Sequence, residues 1–124
     1  MPKKILVVDD EVDIANMVQM RLESQGYTVI QANDGEAALD KIKKENPDLV
    51  LLDVMVPPPN GFQLCRMLKD EPLYRNIPII LLTAKSTESD KFWGQESGAD
   101  EYVTKPYDAA DLLKKIKKLL EKQK

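Results

Sequence analysis

The chain contains no histidine and a single cysteine, Cys65. Without imidazole there is no Ser-His-Asp or Cys-His catalysis, no histidine metal ligand and no phosphohistidine in this chain. One cysteine excludes an internal disulfide and a Cys-rich metal centre. Cys65 lies in "FQLCRMLKD", a helical pattern, where a half-buried structural thiol is the expected role. No apolar stretch approaches the roughly 18 residues that span a membrane. The opening "MPKKILVVDD" turns acidic where a secretory leader stays apolar, so a cytoplasmic location and no membrane partner are expected. Positive charge is also scarce: 18 Lys and Arg face 21 Asp and Glu, a net charge of −3. That balance gives no basic face for direct nucleic-acid binding. The lysines of "LLKKIKKLLEKQK" alternate with apolar positions at helical spacing and read as a solvated face. The chemistry left to this chain is that of carboxylates, hydroxyls and lysine.

What the sequence does have is alternation. Its 124 residues, 43% hydrophobic and 31% charged, suit one globular domain spanning 1–124. Apolar runs predict strands β1 (4–9), β2 (27–32), β3 (48–53), β4 (77–83) and β5 (101–105). Between and after them, helical spacing predicts α1 (11–25), α2 (34–45), α3 (61–70), α4 (88–97) and α5 (108–122). Asp34 is a candidate N-cap, and Gly26 and Asn46-Pro47 are helix stops. Five βα units in this order predict a parallel sheet with helices on both faces, a three-layer α/β/α architecture. Runs one, three and four are continuously apolar, as central strands are, whereas run two is more polar and suits an edge.

Ligands of open parallel sheets bind beyond the carboxyl ends of the strands. At those ends stand Asp9, Asp10 and Glu11 after β1, Asp53 after β3, Thr83 after β4 and Lys105 after β5. If β1 and β3 are neighbours, Asp9, Asp10 and Asp53 come within several ångströms of one another. Two like charges 4 Å apart repel by about 4 kcal/mol at an effective dielectric of roughly 20, so such a cluster raises a pKa, attracts a lysine or binds a cation. Oxygen-only ligands favour Mg²⁺, Mn²⁺ or Ca²⁺ over zinc or copper. Mg²⁺ typically takes one or two carboxylates together with a phosphate. A carboxylate flanked by a divalent metal, an ammonium and a hydroxyl is equipped to become an aspartyl phosphate. Singly, each of these residues reads as a cap or a solvated charge. The pattern lies in the set.

The segments "ILVVDDE", "PDLVLLDVMVPPPNG", "IPIILLTA" and "GADEYVTKPY" resemble the receiver domains of bacterial two-component response regulators. The resemblance spans essentially the whole chain. It implies a flavodoxin-like (CheY-like) fold with strand order 2-1-3-4-5. It implies Asp53 as the phosphoacceptor and Asp9, Asp10 and Asp53, with the backbone carbonyl of Met55, as the Mg²⁺ site, in which Mn²⁺ substitutes. Thr83 and Tyr102 match the switch pair, and Lys105, before a usually cis Pro106, the phosphate-facing lysine. Met55 and Lys85 match positions that tune dephosphorylation; neither orients a water well, which implies a long-lived phosphoryl group. The donor would be a sensor histidine kinase or phosphotransfer protein. The chain would be no enzyme beyond its own phosphotransfer and dephosphorylation.

Lys91, Asp100, Glu101 and Lys115 resemble residues of an α4-β5-α5 face used for homodimers, and Trp93 is either partner-facing or locally packed. Lys115 stands where arginine is usual and is a poorer bidentate partner. Asn60-Gly61 is expected in a turn needing φ > 0. Pro57 is usual in such loops; Pro58 and Pro59 are not, and predict a stiffer loop. A flavodoxin-like cofactor binder would need a Gly- or Ser/Thr-rich loop after β1, where this chain has Asp-Asp-Glu. A haloacid-dehalogenase-type phosphatase resembles D-x-D-x-T/V after its first strand, and Asp53 is followed instead by Val54 and Met55. The third alternative is a degenerate receiver acting as a phosphorylation-independent interaction module. A stand-alone receiver and a piece of a longer regulator fit these residues equally.

Overall fold

The computed structural model describes residues 2–83, 98–104 and 108–121. Five strands, β1 (Lys4–Val8), β2 (Thr28–Ala32), β3 (Leu49–Asp53), β4 (Ile79–Thr83) and β5 (Glu101–Thr104), form one parallel sheet in the order β2-β1-β3-β4-β5. Among the described residues the helices are α1 (Val12–Glu23), α2 (Gly35–Glu45), α3 (Gly61–Asp70) and α5 (Ala109–Glu121). The helix expected over 88–97 lies outside the described residues.

The continuous apolar runs are continuous because alternate side chains serve two different cores. Leu6 and Val8, Val50 and Leu52, and Ile79 and Leu81 point to one face, where they meet Ala38 and Ile42 of α2 and Leu64 and Leu68 of α3. Ile5 and Val7, Leu49 and Leu51, and Ile80 and Leu82 point to the other, against Ala15, Val18 and Leu22 of α1 and Leu112, Ile116 and Leu120 of α5. This is the period-two geometry of strands matched to the 3.6-residue stripe of each helix. Each fully buried Leu or Ile contributes about 1.5–3 kcal/mol of transfer free energy. β2 and β5 are the edge strands, and Gln31 carries the polar face of β2 to Asn16 on α1 at 3.0 Å. Cys65 is fully buried among the α3-side apolar residues.

Helix ends follow local chemistry. Asp34 caps α2 by accepting the Ala37 N–H at 2.7 Å, and Asn46 closes that helix in the left-handed region at φ 48°. Gly26 ends the α1 turn at φ 90°. Asn60 and Gly61 correct one expectation: Asn60 has φ −69° and caps α3 in a reciprocal capping box with Gln63. Neither residue needs positive φ. Glycine is needed at 61 for space, since a Cβ there would stand 2.6 Å from Val54 Cα and 2.8 Å from the Asp53 carbonyl oxygen.

Candidate phosphoacceptor site

The register brings the acids together. Val8 on β1 is the partner of Leu52 on β3, so the next residues, Asp9 and Asp53, emerge side by side at the carboxyl edge. One carboxylate oxygen from each of Asp9, Asp10 and Asp53 lies within 4.8 Å of the other two. Asp9 and Asp53 are only 2% and 4% exposed, while Asp10 faces solvent. At that separation each ionised pair repels by about 3.5 kcal/mol at an effective dielectric of roughly 20. Three all-oxygen ligands, two of them withdrawn from water, fit a small hard cation held partly by the chain and partly by water.

Both buried carboxylates are aimed by their own backbone. Asp9 Oδ1 accepts the Glu11 N–H at 2.9 Å, and Asp53 Oδ1 accepts the Met55 N–H at 2.9 Å. These are Asx-type turns, the local bond that a short acidic side chain makes two residues on. The Asp9 N–H reaches the Ala32 carbonyl at 3.1 Å, and the Val54 N–H reaches the Leu82 carbonyl at 3.0 Å, so the strand ends stay tied beyond the ladder proper. Asp53 pairs with Leu82, which puts the buried Thr83 one position further along the neighbouring strand. The Met55 side chain is 72% exposed at the rim, although its backbone is engaged.

The remaining candidates divide. Tyr102, on β5 opposite Leu81, is half-buried against the α3-side core. Asp100 is engaged inside the chain: its Oδ2 accepts the Ile79 N–H and the Lys69 ammonium, each at 2.8 Å. Lys115 pairs with Asp111 one turn earlier at 2.6 Å, and Glu101 is half-buried. Lys85, Lys91, Trp93, Lys105 and the Lys105-Pro106 bond lie outside the described residues. Sequence reasoning missed the two Asx turns and the Lys69–Asp100 pair. An acid at a strand end followed by a loop is a signal for the former. The latter joins residues 31 apart and leaves no local trace.

The family model for the response regulator receiver domain matches residues 5–117. The chain belongs to that family. The receiver is 48% identical over 120 residues to the alkaline phosphatase synthesis transcriptional regulatory protein PhoP of Bacillus subtilis (strain 168). That match takes in 97% of this chain and 49% of PhoP, so the chain spans about half the length of this curated relative. Among solved structures, the receiver superposes on the signal receiver domain of a signal transduction histidine kinase from Syntrophus aciditrophicus with a TM-score of 0.94 at 37% identity, covering 98% and 92% of the two chains. It superposes on the BeF3-activated N-terminal receiver domain of Klebsiella pneumoniae RstA with a TM-score of 0.87 at 31% identity, covering 97% and 100%. The strand order 2-1-3-4-5 expected of such a domain is the one observed.

Proposed function

We propose that residues 1–124 form one receiver domain that takes a phosphoryl group from the phosphohistidine of a sensor histidine kinase, or of a phosphotransfer protein, onto Asp53. The observation that carries this reading is the buried Asp53 carboxylate, held by the Met55 N–H and set within 4.8 Å of Asp9 and Asp10. An Asp53 oxygen attacks phosphorus as the P–N bond to the donor histidine breaks, and the imidazole leaves with the electron pair. The Met55 N–H fixes the plane of the carboxylate, so no rotation is needed at the moment of attack. Burial keeps water off the acyl phosphate once formed.

Asp9, Asp10 and Asp53, with the Met55 carbonyl, are the residues that would hold Mg²⁺, and Mn²⁺ in its place. When bound, Mg²⁺ supplies positive charge next to the transferring oxygens. The Thr83 hydroxyl, on the strand beside Asp53, and Lys105 are proposed to receive the added charge, and Thr83 and Tyr102 to move with it. A phosphoryl group adds about −1.5 to −2 charges, enough to bias a two-state element through new hydrogen bonds. The output face is proposed as α4-β5-α5, serving a homodimer or another partner in the cytoplasm, and the residues at 55 and 85 as the setting of phosphoryl lifetime. Among the described residues no helix is long and apolar enough to cross a membrane.

Intact-protein mass spectrometry after incubation with acetyl phosphate tests the reading. The expected result is one added phosphoryl mass that disappears in Asp53→Asn and in metal-free buffer. A folded wild-type chain that gains nothing at any time point would instead support the phosphorylation-independent module.

A further inference from the structure

The three consecutive prolines beyond Asp53 have a specific seat. The Gly35 N–H, the first of α2, donates to the Pro57 carbonyl at 3.1 Å. Gly35 is buried, and the space where its Cβ would stand is taken by the Pro59 carbonyl oxygen, with Pro59 Cδ and N each 2.7 Å away. Its φ is not in the left-handed region, so glycine is required there for clearance and not for backbone freedom. The far side of the same loop is closed by the Gly61 N–H on the Val54 carbonyl at 3.0 Å, and Val56 is buried in the core beside Ala38 of α2. The loop is therefore clamped at its base by α3 and at its crown by α2. Between the clamps lies Met55, with an exposed side chain and with the N–H that orients the Asp53 carboxylate.

We propose that Gly35 is a positioning residue for phosphoryl acceptance: its bare Cα lets the 57–59 loop seat on α2, and that seat sets where the Met55 backbone holds Asp53. The inference rests on the reading of Asp53 as phosphoacceptor. A methyl group at 35 has to displace the Pro59 carbonyl oxygen by about 1.5 Å to reach ordinary van der Waals contact. Pushing Pro59 off α2 also strains the Gly35 N–H bond to the Pro57 carbonyl, and with Val54 tied to Gly61 the residues left to take up a shift of Pro57 are Met55 and the buried Val56. A misplacement of about 1 Å at a reacting group costs up to about a hundredfold in rate, because attack geometry is steep in distance, and a smaller shift passed to Met55 costs less.

The test compares the wild type, Gly35→Ala and Glu36→Ala, an exposed neighbour serving as control. Phosphorylation rates with acetyl phosphate and Mg²⁺ are read by intact mass, and the Met55 amide is followed by ¹⁵N–¹H NMR without phosphodonor. Gly35→Ala is expected to slow labelling at least about tenfold and to move the Met55 amide resonance. Glu36→Ala changes neither. If Gly35→Ala yields too little folded protein, Asp34→Ala replaces it. Loss of the cap loosens the turn that presents the Gly35 N–H, and a smaller slowing of about threefold with the same amide shift is expected. A wild-type rate in a folded Gly35→Ala chain, or slowing with the Met55 amide resonance unmoved, overturns the proposal alone. A wild type that is never labelled overturns the phosphoacceptor reading and this inference with it.

Discussion

Lys69 holds three segments together, and its removal has a cost that the structure allows to be worked out. Its ammonium donates to the Arg75 carbonyl at 3.1 Å, the Ile77 carbonyl at 2.9 Å and Asp100 Oδ2 at 2.8 Å, joining the end of α3 to the starts of β4 and β5. Its side chain is 16% exposed, and its stem lies against Gly98. Exposed pairs such as Lys44–Asp40, at 69% and 62%, are worth about 0–1 kcal/mol, because water competes for both partners. Lys69 differs because hydrogen bonds to a charged group net about 1.5–3 kcal/mol and because the buried Ile77 would lose a carbonyl partner. Lys69→Met keeps the stem and removes the charge; with water relieving part of the loss, the expected cost is about 2 kcal/mol. For 124 residues that lowers Tm by about 8 °C. Asp100→Asn keeps an acceptor for the Ile79 N–H and is expected to cost about 1 kcal/mol, with a coupling of about 1 kcal/mol in the double-mutant cycle. Urea unfolding followed by circular dichroism at neutral pH, in low and high salt, measures all three variants. A Lys69→Met loss under about 0.5 kcal/mol, or a vanishing coupling energy, would show the pair to be an ordinary surface contact.

Other parts of the molecule give three more expected outcomes. Asn60→Ala removes the capping box on α3 and is expected to cost about 1 kcal/mol in the same unfolding assay, with Gln63→Ala costing less. Leu51→Ala, at a fully buried position on the central strand, is expected to cost about 2–5 kcal/mol, and a value under about 1 would mean that the α1 and α5 layer is not packed as described. The Lys4 hydrogen bond and charge hold the Glu45 carboxyl below its ordinary value of 4.5. Its small contribution to stability is therefore present above that value and lost as pH falls through the lower folded-state one. An NMR titration of Glu45 should show a midpoint below 4.5 that returns towards it in Lys4→Met.

Much of this architecture is legible in the sequence because burial writes a period. Runs such as "LVLLD" are apolar at nearly every position because odd and even residues enter different cores, and Asp34 announces α2 because the cap is a bond three residues long. The acidic cluster is legible too, since Asp9 and Asp53 both end apolar runs and parallel neighbours end at one edge. What the residues do not announce is contact between distant segments. Asn60-Gly61 has the composition of a positive-φ turn, yet Asn60 caps a helix and Gly61 makes room for the Asp53 backbone. Gly35 reads as an ordinary first residue of a helix until Pro59 is found where its side chain would be. Asp100 resembles a partner-facing acid, and its carboxylate is held by Lys69 from another element. These are packing facts, fixed only when the sheet brings the loops together.

The central claim is that a phosphoryl group ends up on one particular carboxylate. Borohydride reduction of the acetyl-phosphate-treated chain converts an acyl phosphate to the corresponding alcohol, and peptide sequencing by mass spectrometry then locates it. Homoserine at position 53 is the predicted result, absent without Mg²⁺. Homoserine at position 10, reduction at Glu11, or no reduced residue in a chain that folds and binds the metal, would contradict the account.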